Sequence, residues 1–215
     1  FLLIDMRTPG VDPRPIKLIA GSSPFCETFF TDVKVPKENL VGPLNGGWTI
    51  AKRLLQFERN GMGTRMGEAA NNTPKRPEPL GVIAKRIMGE DASGRLADRD
   101  LRGRIIQQEM EQRALQQTVR RAALESKTNA GPNVTTSIMK NVSMKVGQDR
   151  LELMVEIMGN QGLGWEGEGF SAEELSTVRA WLGSKAHSIF GGSHEIQNNI
   201  ISKRILGLPE LTQRN

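Results

Sequence analysis

The chain changes rhythm once. Up to residue 40 the apolar residues come in short β-rich clusters, "FLLIDM", "RPIKLIA" and "CETFFTDVKV", divided by the turn signals "TPGVDP" and "GSSP". These clusters read as strands, and so few short strands predict the end of a β domain. A connector, "VPKENLVGPLNGG", follows with two prolines and three glycines. From residue 46 the spacing becomes helical and runs to about residue 70, where the proline-rich loop "NNTPKRPEP" stops it. "LGVIAKRIMG" predicts a modest helix. Residues 96–128 predict a long one, rich in i,i+4 charge pairs. "TNAGPN" breaks it. Residues 134–159 predict another, with Ile138, Val142, Val146, Leu153 and Ile157 near one face. After the glycine-rich "GNQGLGWEGEG", a helix starts near Ser171, whose spacing to Glu174 fits a capping box. The last helix follows the glycine pair in "IFGGSHEIQNNIISKRILGLP". Ser193 is its N-cap candidate, and Ile196, Ile200 and Ile201 form one stripe. The fold class expected is mainly α. Residues 1–44 form the end of a β domain with its connector, and residues 45–215 form a helical domain resembling a four-helix bundle.

Composition narrows the class. Charged residues make up 25% of the chain and hydrophobic residues 37%, as in soluble globular proteins. No apolar run approaches the ~18 residues of a membrane span. The chain opens on Phe1, inside what reads as a strand, so a piece of a longer protein is expected, with any targeting segment out of view. A single cysteine, Cys26, excludes an internal disulfide and a cysteine-based zinc cluster; its strand context reads as a small packed hydrophobe. The net charge is +5 and the sequence pI about 9.6. The cations are interleaved with acids, and no aromatic platform lies among them, which argues against nucleic-acid binding. A modest positive field suits a ligand that carries phosphates.

One residue breaks the amphipathic pattern of the first helix. In "GGWTIAKRLLQFERNGMG", Ala51, Leu54, Leu55 and Met62 share a stripe, and Glu58 falls within it. A carboxylate on an apolar face is costly to bury. Three environments fit: pairing with an arginine, an exposed edge, or a pocket that raises the pKa from about 4.3 toward the neutral range a general base needs. Arg59 stands about 100° around the helix from Glu58, a poor position for pairing within the helix. Trp181 and His187 read as packing residues.

Three segments carry a family resemblance that spans essentially the whole chain. "FLLIDMRTPGVDPRPI", "CETFFTDVKVPKENLVGPLNGGW" and "AWLGSKAHSIFGGSHEIQNNIISKRILGLP", in this order and spacing, resemble the flavin-dependent acyl-CoA dehydrogenases. The resemblance implies FAD as cofactor, α,β-dehydrogenation of an acyl-CoA thioester, and transfer of electrons to an electron-transfer flavoprotein. Most members carry the catalytic glutamate just before the second glycine of the closing motif, which here is Gly191 and has no side chain. A minority, resembling isovaleryl- and long-chain-type enzymes, carry it on the first helix of the C-terminal domain, immediately before an arginine. "FERN" matches that pattern, so the resemblance implies Glu58 as the base.

By the same resemblance Arg59 and Gly192 lie on the substrate side, and Ser193, His194 and Glu195 face FAD. "EIMGNQG" matches a segment that reaches the FAD of a neighbouring subunit, through Glu156 and Asn160. This chain departs from the usual form there, with Glu156 in place of glutamine and Asn160 in place of a second glycine. It also has "RRAALESKTNAG" where many members carry an Arg-x-x-Phe-Gly segment. A homo- or hetero-oligomer, dimer or tetramer, is implied, in the bacterial cytoplasm or a mitochondrial matrix, with no membrane or nucleic-acid partner. Two other readings stand beside this one: an oxidase of the same fold that passes electrons to oxygen, and a non-catalytic subunit of a hetero-oligomer. The altered FAD segments favour the latter and Glu58 opposes it. This piece alone is expected to be inactive.

Overall fold

In a computed structural model the structure describes residues 1–55, 57, 78–128 and 135–209. They divide into two compact units, Phe1–Arg76 and Pro77–Asn215.

The first unit is built on an antiparallel hairpin. β1 (Val11–Ile16) pairs with β2 (Phe25–Phe30), in a register that sets Val11 opposite Phe30 and Ile16 opposite Phe25. β1 contains Pro13 and Pro15, from a stretch the sequence marks partly as turn. The Thr31 N–H donates to the Gly10 carbonyl at 2.9 Å, which makes the even-numbered residues of β1 the hydrogen-bonded ones. Both prolines are odd-numbered, so the N–H groups they lack would have faced away from β2. "FLLIDM" is not a strand. It makes a single bridge, Leu2 with Leu40, flanked by backbone bonds from Leu3 to Asn39 and from Val41 to Phe1. Among the described residues no second strand lies beside it to extend a ladder. Cys26 is exposed, not packed. α1 starts at residue 47 and is described to 55; it belongs to this unit, and Leu54, Leu55 and Phe57 lie exposed on it.

The second unit is helical: α2 (Leu80–Met88), α3 (Arg99–Thr128), α4 (Thr135–Ile157), α5 (Ala172–Ser184) and α6 (His194–Ile200). α3 begins three residues later than its periodicity suggests, because the Asp98 carboxylate accepts from the Leu101 N–H at 3.0 Å and caps it. The capping box of α5 is complete. Ser171 Oγ accepts from the Glu174 N–H, and Glu174 Oε2 accepts from the Ser171 N–H at 2.7 Å. α6 is short and passes into one π-helical turn, Ile201–Ile205.

The core lies where α2 fits between α3 and α4. Leu80, Ile83 and Ala84 of α2 meet Leu101 and Ile105 of α3 and Leu153 and Ile157 of α4, with Leu96 closing the cluster. Each fully buried leucine or isoleucine contributes about 2 kcal/mol through removal from water. The α4 stripe divides. Val146, Leu153 and Ile157 are buried, whereas Ile138 and Val142 are each 40% exposed. Arg150 of α4 is half-buried and donates to the Glu78 carbonyl at 2.7 Å; burial lowers its pKa. α4 thus reaches from this core, at its C-terminal end, to the start of α6, at its N-terminal end.

Candidate functional site

The closing motif is organised by two glycines that no other residue type would replace easily. Gly191 has φ +67° and Gly192 φ +96°, conformations that side chains with a Cβ rarely adopt. Their carbonyls are tied down from two sides. The Lys140 ammonium, from α4, donates to the Gly192 carbonyl. The Gln197 amide, from α6, donates to the Gly191 carbonyl at 3.2 Å. A Cβ on Gly192 would lie 2.7 Å from Gln197 Nε2, and one on Gly191 would lie 3.6 Å from Lys140 Cε. The adjacent Asn141 donates to Asn198 Oδ1 at 2.8 Å, a second tie between α4 and α6. Among the described residues Lys140 forms no ion pair, and its partial burial lowers its pKa.

Ser193 caps α6, its hydroxyl accepting from the Ile196 N–H at 3.5 Å. Glu195 is held below the usual carboxylate range, first by the Ser193 hydroxyl and then by its own backbone N–H. His194 is half-buried. Ser193, His194 and Glu195 therefore stand together at the rim of the glycine turn.

Glu156 and Asn160 lie at the far end of α4 and just beyond it. Glu156 is bound in two-pronged fashion by Arg104 of α3, at 2.7 and 2.6 Å. The pair raises the Arg104 pKa further above its usual value. Asn160 is exposed in the tight turn Gly159–Leu163. That turn lies close against α4: a Cβ on Gly162 would come within 2.4 Å of the Val155 carbonyl oxygen. One turn of α4 before Glu156, Glu152 accepts from Trp181 Nε1 at 2.6 Å and Lys185 Nζ at 2.8 Å. These two bonds hold its carboxyl below the usual range. Trp181 is thus a hydrogen-bond donor, with the Lys185 ammonium 4.9 Å from its ring centroid.

Glu58 and Arg59 lie outside the described residues. The structure brings Gly192, Ser193, His194 and Glu195 into one place and Glu156 with Asn160 into another. Sequence reasoning did not find Lys140, Gln197 or Arg104. Lys140 and Arg104 each meet a partner 52 positions away. No local signal marked either residue. No group of three or more potential metal ligands occurs among the described residues, and no helix there is long and apolar enough to cross a membrane.

Comparison with known proteins places these elements in context. The acyl-CoA dehydrogenase C-terminal domain model matches residues 45–206, a span that holds both glycines, their clamps and Glu58. Acyl-CoA dehydrogenase IpdE1 of Mycolicibacterium smegmatis is 32% identical over 97% of this chain and 49% of its own length. The ChsE4-ChsE5 complex of Mycobacterium tuberculosis aligns with TM-score 0.70 at 18% identity, over 98% of this chain and 52% of that one. A steroid acyl-CoA dehydrogenase, Tcur3481-Tcur3483, aligns with TM-score 0.73 at 19% identity, over 97% and 52%. The last two show likeness of fold. The chain spans about a quarter to a half of the curated relatives that match nearly all of it. The family's cofactor is FAD. The matched span and the 32% identity to IpdE1 over nearly the whole chain agree on one assignment: this chain belongs to the acyl-CoA dehydrogenase family.

Proposed function

We propose that the full protein dehydrogenates an acyl-CoA thioester between its α and β carbons. Glu58 accepts the α proton, which becomes removable once the thioester carbonyl is polarised. FAD, when bound, supplies the acceptor for the β hydride. Arg59 and the Gly191–Gly192 turn stand on the substrate side, and Ser193, His194 and Glu195 on the flavin side. Glu156 and Asn160 face the FAD of a neighbouring subunit in a dimer or tetramer. The donor set fits such a cofactor. The Asn160 amide is exposed, and His194 adds an imidazole beside the turn. Electrons pass to an electron-transfer flavoprotein. The observation that carries this reading is the family match over residues 45–206, which contains both places where the base could stand. One of them, Gly191, has no side chain.

A second reading has support of its own. Glu156 is committed to Arg104, and Gly191 offers no carboxylate, as a non-catalytic subunit of a hetero-oligomer would show. One experiment separates the two. The full-length protein is purified and its flavin spectrum recorded. Acyl-CoAs, from short linear chains to ring-bearing ones, are then added without oxygen, to wild type and to Glu58→Gln. Bleaching in wild type but not in the mutant is the expected result, and the panel gives the substrate class. Equal bleaching in both places the base elsewhere. Purification without flavin favours the non-catalytic subunit. Reoxidation of the bleached enzyme by oxygen at turnover rate, with no carrier protein, identifies an oxidase.

A further inference from the structure

We propose that Lys140 is a positioning residue which, together with Gln197, fixes the Gly191–Gly192 turn against α4; its mechanistic part rests on the functional reading above. The turn uses two consecutive left-handed residues, and two glycines would lose the most freedom on being ordered. Something must hold them, and the chain supplies one donor to each carbonyl. The Lys140 ammonium takes Gly192, and the Gln197 amide takes Gly191. The two donors come from different helices, so the turn is held between α4 and α6. Asn141 and Asn198 join the same helices one position along. The lysine is suited to this place because it carries three donors and, among the described residues, has no carboxylate to draw it away. Side-chain atoms that clamp the turn also fill the space a Cβ would need at Gly192. The conformation and its clamp therefore depend on each other. A reacting thioester beside this turn would be located by α4, and a shift of about 1 Å there would cost up to about a hundredfold in rate.

The test uses the full-length, flavin-loaded protein as wild type, Lys140→Met and Lys140→Arg. Hydrogen exchange is followed by mass spectrometry, and flavin reduction by saturating acyl-CoA is followed by stopped flow on the same samples. In Lys140→Met the peptide covering residues 189–196 is expected to exchange faster, with the α2–α3–α4 core unchanged. Its flavin should be reduced at least about tenfold more slowly at saturation, with a smaller change in acyl-CoA affinity. Lys140→Arg, which keeps a cationic donor, should recover most of both. Wild-type exchange in Lys140→Met overturns the clamp. Faster exchange with a wild-type reduction rate overturns its part in positioning. Flavin that no acyl-CoA reduces in the wild type would instead sink the functional reading, and the exchange measurements would still decide the clamp.

Discussion

Glu152 shows how much a single side chain can be asked to do. It takes a hydrogen bond from the Trp181 indole and one from the Lys185 ammonium, and so joins α4 to α5 and to the turn that follows it. Its carboxyl is held below the usual range in the folded chain. Such a group stabilises the fold above its unfolded value, about 4.3, and loses that contribution as the pH falls through the folded value. Wild type should therefore melt above Glu152→Gln at pH 7, and the gap should close below about pH 4. The pair is largely exposed, so solvent screening keeps the gap under about 1 kcal/mol. A gap that stays constant from pH 7 to pH 2 would remove the ionic explanation. Glu156 teaches a related lesson about legibility. Its position and its departure from the family pattern can be seen in the sequence, but its partner Arg104 cannot, because nothing local links residues 52 apart.

At the scale of elements, signals written in adjacent residues were readable and those that need a partner were not. The capping box of α5 is complete within four residues, and Ser193 caps α6 as its place after two glycines suggests. Ser171→Ala is expected to cost about 1 kcal/mol in a urea titration, since it leaves the Glu174 N–H without its acceptor. Periodicity found the stripe of α4 but not where its cover ends. Leu153→Ala, in the cluster with α2 and α3, should cost about 2–5 kcal/mol. Val142→Ala, on the exposed half of the same stripe, should cost well under half of that. Equal losses at the two positions would mean that α4 is covered along its whole length in the folded protein. The start of the chain shows the opposite failure. β-rich composition marked "FLLIDM" as a strand, but a strand exists only beside another, and Leu2 finds one residue to pair with.

At the scale of the whole molecule, the helical class and the family were legible because they are spread over many positions. The site was legible only in part, since its ties cross from α4 to α6. This chain spans about half of IpdE1, and by itself it is expected to bleach no flavin with any acyl-CoA; turnover by the isolated 215 residues would show that the site is self-sufficient. The turn at Gly191 carries a consequence for the proposal that the base stands at Glu58 and not at position 191. Placing a carboxylate at position 191 looks like a one-letter edit, and a Cβ there would meet only an ordinary contact, 3.6 Å from Lys140 Cε. The backbone there is left-handed, however, which costs a non-glycine residue about 1 kcal/mol or more. The new carboxylate would also emerge beside the Lys140 side chain. An ammonium neighbour keeps a carboxylate ionised and weakens it as a proton acceptor. Gly191→Glu placed in a Glu58→Gln protein should therefore restore little flavin bleaching until Lys140 is replaced as well. On the reading that Glu58 is the base, moving the carboxylate to position 191 would take at least two changes, with the lysine acting as a lock on the turn.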